Sequence, residues 1–129
     1  MSVTLTLRGA VTAPGSRTNE DAYGTAPSAG WVLDGVTGIN EHALLPGPTD
    51  AAWFVAQVQD ILPRLLDADP QQPIHALLRA LIAELVAIQG RSWRDGLSAA
   101  HGETPAASFS LARLIGDDIE IARIGDCPV

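Results

Sequence analysis

The chain has 129 residues, is 47% hydrophobic and carries a formal net charge of -7, enough apolar material for one packed domain and too much for a disordered chain. The acidic balance argues against a nucleic-acid backbone as the main partner, and a single cysteine, Cys127, rules out an internal disulfide. No apolar run approaches membrane-spanning length, so the expectation is a soluble cytoplasmic domain with neither nucleic acid nor membrane as partner.

In chain order, Val3, Leu5 and Leu7 alternate with Thr4, Thr6 and Arg8, which predicts a half-buried strand over residues 2–12 ending at Pro14-Gly15. Residues 21–25 predict a short second strand, and 30–33 a buried one that stops at Asp34-Gly35. After a loop containing Gly47 and Pro48, Thr49 is well placed to cap a helix. Phe54, Val58, Ile61 and Leu65 then recur at helical spacing, with Pro63 predicting a kink or an early end. The segment "DADPQQP" leads to a second helix with Pro73 in its first turn, an apolar stripe from Ile74 to Val86, and Gly90 as its C-cap. Residues 91–105 read as a polar connection in which Trp93 is unexplained. Residues 108–115 and 119–124 predict two strands joined by "GDD", a tight-hairpin signal. Strands, two helices and strands again make an α+β layered domain. Nothing covers the final apolar strand, which predicts poor solubility or dimerisation of the isolated chain.

Two short stretches concentrate charge. "GSRTNEDAYG" sets Glu20 beside Asp21 with Arg17 nearby, and "WVLDGVTG" drives Asp34 out of an apolar run into a glycine-flanked turn. Two carboxylates ~4 Å apart repel by about 4 kcal/mol at an effective dielectric near 20. Acids held together therefore need a proton or a cation, and Mg²⁺ or Mn²⁺ prefers such oxygen ligands. Gly35, without a Cβ, lets the backbone approach an ion. Spacing alone leaves a plainer alternative open, in which Glu20-Asp21 is a solvated turn and Asp34-Gly35 only ends a strand.

"RTNEDAYG", "WVLDGVTG" and "PAASFSLARLIGDDIEIARIGDCPV", in that order, resemble the opening motifs of the metal-dependent protein phosphatase 2C family, bacterial members especially. The matches are to its Asn-Glu-Asp motif, its Asp-Gly-x-x-Gly motif, and its serine-containing strand followed by Gly-Asp-Ser. "TDAAWFV" at the start of the first long helix adds to the likeness. The resemblance implies a four-layer α-β-β-α sandwich of two antiparallel sheets flanked by helices, with a binuclear Mn²⁺ or Mg²⁺ centre between the sheets. It implies a phosphoserine/phosphothreonine protein phosphatase in which a metal-bridging hydroxide attacks phosphorus in line. Asp34 would bridge both ions, the Gly35 carbonyl would hold one, and Glu20 would reach a metal through water. Asp21 would orient metal-bound water, Arg17 would grip the phosphate, and Asp126 would serve a third, weaker metal. The partner so implied is a phosphorylated protein substrate.

The pattern also departs from the family. Only Thr18 separates Arg17 from Asn19, where many bacterial relatives have two residues; Thr37 alters the glycine turn, and Cys127 stands where serine is common. The family's two later metal-binding aspartates, one before a glycine and one before an asparagine, have no counterpart here. Asp50, Asp117 and Asp118 do not match those motifs. The resemblance therefore covers roughly the N-terminal half of such a domain, and the 129-residue chain alone is expected to be inactive. A non-catalytic phosphatase-like binding module, or an inactive fragment, is the competing reading. Cys127 reads as a small packed residue, His42, His75 and His101 lack ligand spacing, and Trp31, Trp53 and Trp93 read as core or cover residues.

Overall fold

The computed structural model describes residues 3–15, 17–36, 43–93 and 104–125. Four strands form one antiparallel sheet in sequence order: β1 (Asp21–Ala26), β2 (Ala29–Val36), β3 (Ala106–Ile115) and β4 (Asp118–Ile124). Helices α1 (Asp50–Ala68) and α2 (Ile74–Ser92) are inserted between β2 and β3. Helix α1 packs on β1, β2 and β3, and α2 packs against α1. The α+β class matches expectation, as does the order of the elements from Asp21 onward; the architecture is one sheet with a helix pair on one face.

Strand alternation sorts residues to that face. Ala29, Trp31 and Leu33 of β2 and Phe109 and Leu111 of β3 are buried under Val55, Val58, Ile61 and Leu62 of α1, with Leu77, Leu81 and Leu85 of α2 completing the core. Gly24 lies opposite Trp31, and a Cβ at Gly24 would sit 2.2 Å from the indole ring. The bare backbone there makes room for the tryptophan, whose Nε1 donates to Gln59 Oε1 at 2.7 Å while Gln59 Nε2 donates to the Tyr23 carbonyl at 2.7 Å. Trp31 and Trp53 are buried as expected.

The helix start at Thr49 also matches expectation: its hydroxyl accepts from the Ala52 N–H at 3.0 Å. Asp50, buried at the first helical position, accepts from the backbone N–H groups of Leu44 and Leu45, 2.9 Å each, and so ties the preceding loop to the helix. Arg113, on the helix-facing side of β3, donates to Glu120 at 2.7 Å and to the carbonyls of Pro70 and Gln72. That buried guanidinium pins the loop between the helices to the sheet.

Several expectations are corrected. Residues 3–12 form no strand; Val3, Leu5 and Leu7 are exposed, and the Leu5 N–H to Pro27 carbonyl bond at 2.8 Å is an isolated one rather than part of a ladder. Alternation without a partner for the backbone groups does not make a strand. Strand β2 does not stop at Leu33 but runs through Asp34 and Gly35 to Val36, paired with β3 along its whole length. Pro63 does not end α1, because the stripe of Val58, Ile61, Leu62 and Leu66 stays buried on both sides of it. Gly90 lies inside α2, which ends at Ser92 with Trp93 as its C-cap. Thr37, His42, His101 and Cys127 lie outside the described residues. Among the described residues, no helix is long and apolar enough to cross a membrane.

Candidate metal site at one end of the sheet

The register of the first hairpin brings the two charged stretches together. Asp21 opens β1 directly opposite Asp34 of β2, and the next contact outward is a backbone bond from the Gly35 N–H to the Glu20 carbonyl, 3.0 Å. Segments thirteen residues apart in sequence (Asp21 to Asp34) thus meet at one sheet end. A Cβ at Gly35 would lie 2.4 Å from the Glu20 carbonyl oxygen and 3.0 Å from the Glu20 Cβ. Glycine is needed there for close approach, since φ at this position is not in the left-handed region.

The same geometry divides the acids between faces. Asp21 and Asp34 are directly opposed and therefore project to one face, the exposed face away from the helices. Gly35 follows the alternation of Trp31 and Leu33 toward the helices, and Glu20, adjacent to it, is buried. The four residues Glu20, Asp21, Asp34 and Gly35 are neighbours, but their side chains do not converge from one side. Arg17 is exposed four residues before Asp21. Asp126 lies outside the described residues. Among the described residues, no group of three or more His, Cys, Asp and Glu side chains is placed to hold a metal ion.

A cavity of about 300 Å³ adjoins Asp21 and Asp34, lined also by Val11, Thr12, Tyr23 and Val32. Its far wall belongs to the N-terminal segment, which crosses the open face. Farther along that face a second cavity, about 430 Å³, is lined by Leu7, Tyr23, Val32, Ser110 and Ala112. Asn19 shapes the approach to β1: its Oδ1 accepts from the Asp21 N–H at 3.0 Å, and its Nδ2 donates to the Thr12 hydroxyl at 2.9 Å. The first is an Asx turn two residues ahead of the acid it orients, a signal readable in "NED". The second could not be read from sequence, because it joins the strand to a segment with no regular structure.

The donor set is hard oxygen, which suits Mg²⁺ or Mn²⁺. No family model matches the chain, and no curated protein or solved structure matches it.

Proposed function

We propose that this chain carries the N-terminal part of a Mn²⁺- or Mg²⁺-dependent phosphoserine/phosphothreonine phosphatase domain. The observation that carries the reading is the pairing of Asp21 with Asp34, locked by the Gly35 to Glu20 backbone bond. The two acidic segments are adjacent at one sheet end, which supports this reading. In this reading Asp34 and the Gly35 carbonyl hold the cations, Glu20 acts through water, and Asp21 orients water. Bound there, the cations would supply an activated water and neutralise charge on phosphoryl oxygens. Arg17, exposed and with a planar guanidinium fork, binds the phosphate of a phosphorylated protein.

The finer architecture belongs to the same reading. The face of the sheet away from the helices exposes Tyr23, Val32, Ile119 and Ile121, and a second antiparallel sheet packed there would complete a four-layer sandwich. In the 129-residue chain that face promotes self-association.

Calorimetric titration of this chain with Mn²⁺ tests the reading. Binding is expected for the unsubstituted chain and its loss in Asp34→Asn. A longer chain carrying the two later aspartate motifs is expected to hydrolyse an aryl phosphate with Mn²⁺, and its Asp34→Asn form to be inert. Absence of Mn²⁺ binding and of metal-dependent turnover overturns it.

One observation favours a second reading. The described residues hold no converging set of three acidic or imidazole side chains, as a non-catalytic phosphatase-like module or an inactive fragment would have it. That module binds a phosphorylated ligand or partner without Mn²⁺.

A further inference from the structure

We propose that the open edge of β4 is a docking site for a second copy of this chain, whose own β4 adds to it antiparallel across a two-fold axis. The Leu114 N–H donates to the Ser28 carbonyl at 2.7 Å, so Leu114 turns its backbone groups toward β2. Backbone groups alternate sides along a strand, so Phe109, Leu111, Arg113 and Ile115 turn theirs toward β4, where Ile124, Ala122, Glu120 and Asp118 oppose them. Ile119, Ile121 and Arg123 are left with N–H and C=O groups directed outward from the sheet. The other edge is defended: the outward Asp21 N–H donates to the Asn19 side chain, and the outward Tyr23 carbonyl accepts from Gln59. Among the described residues no side chain takes the outward groups of β4, and its register with β3 runs without a bulge. Such an edge is a template for another strand.

The sequence of β4 selects the occupant. Two copies joined with their helices on one side of a continuous sheet oppose residues of the same face. With Ile121 on the axis all 7 residues of β4 are paired. Ile121 then meets its own counterpart, Ile119 meets Arg123 of the second copy, and Glu120 meets Ala122. The outward backbone groups of Ile119, Ile121 and Arg123 face one another as hydrogen-bonded pairs. No like charges are opposed, and the aliphatic stem of Arg123 lies over Ile119. Moving the axis to Glu120 sets two glutamates against each other, and moving it to Ala122 leaves Asp118 past the end of the opposing strand. The exposed apolar row of Ile119 and Ile121 becomes continuous across the joint. This contact closes at two copies, because each edge is used by the other.

Sedimentation equilibrium reads this register through a charge exchange. The unsubstituted chain is expected to dimerise. Ile119→Lys sets a lysine against Arg123 of the other copy, twice by symmetry, and is expected to weaken the dimer roughly 2- to 30-fold, two opposed pairs at ordinary cross-strand strength. Ile119→Lys with Arg123→Glu makes both pairs attractive and is expected to restore the dimer. Within one chain the two positions lie about 13 Å apart along the strand, so the rescue can come only from the second copy. Both side chains are exposed, and far-UV spectra of dilute samples check that each variant is folded. A parent chain that stays monomeric overturns the proposal. So does an Ile119→Lys dimer as tight as the parent's, which would place association on the open face instead. A double variant no tighter than Ile119→Lys overturns it as well.

Discussion

Gly35 is the residue on which the candidate site turns. Its N–H reaches the Glu20 carbonyl only because no side chain intervenes, with 2.4 Å left for any Cβ. Gly35→Ala is therefore expected to push the two acidic segments apart and to destabilise the fold by about 1–3 kcal/mol, the usual range for overpacking. Denaturant unfolding measures this, and an alanine variant as stable as the parent would contradict it. The glycine stood out in the sequence for its place after Asp34; the contact that makes it necessary did not, since Glu20 lies fifteen positions away. Asp50 was similarly opaque. In the sequence it is only an acid that fails to match the later metal motifs, yet its carboxylate is committed to two loop amides.

Among the elements, the helix pair shows how far local pattern carries. Apolar spacing and the Thr49 cap locate both helices, and the errors fall on Pro63 and Gly90, whose local preference is outweighed by burial of the stripes around them. Across the outer side of the pair, Arg64 on α1 forms a two-pronged bond with Glu84 on α2, at 3.1 and 2.6 Å. The hydrogen bond from Arg64 holds the Glu84 carboxyl below its ordinary 4.5. A lowered folded-state value means that the pair stabilises the fold above pH 4.5 and that this contribution fades as pH falls through the lowered value. Both groups are solvent-accessible, so the effect is small. Glu84→Gln is expected to melt slightly below the parent at neutral pH and to coincide with it in strong acid; a constant gap across that range would refute the assignment.

For the whole molecule, the unequal faces of the sheet matter most. One is sealed by α1; the other is crossed only by the irregular N-terminal segment and leaves Val32, Ile119 and Ile121 about half exposed (42, 67 and 55%). Strands β1 and β4 are the two sheet edges. Light scattering is expected to show the apparent mass rising with protein concentration, and Ile119→Lys with Ile121→Lys to suppress that rise, because charge on an exposed strand blocks association. A parent chain that stays monomeric at high concentration would contradict the expectation.

Periodicity and capping residues by themselves determined the order of the elements from Asp21 onward and the α+β class, because those signals are local and the core reinforces them. The pairing of Asp21 with Asp34 was legible only as a suspicion of acids held near one another. Register decided the rest: it is a property of two strands at once, so it alone could set Ser108 beside Asp34, turn Glu20 to the opposite face, and deny the N-terminal segment a strand partner.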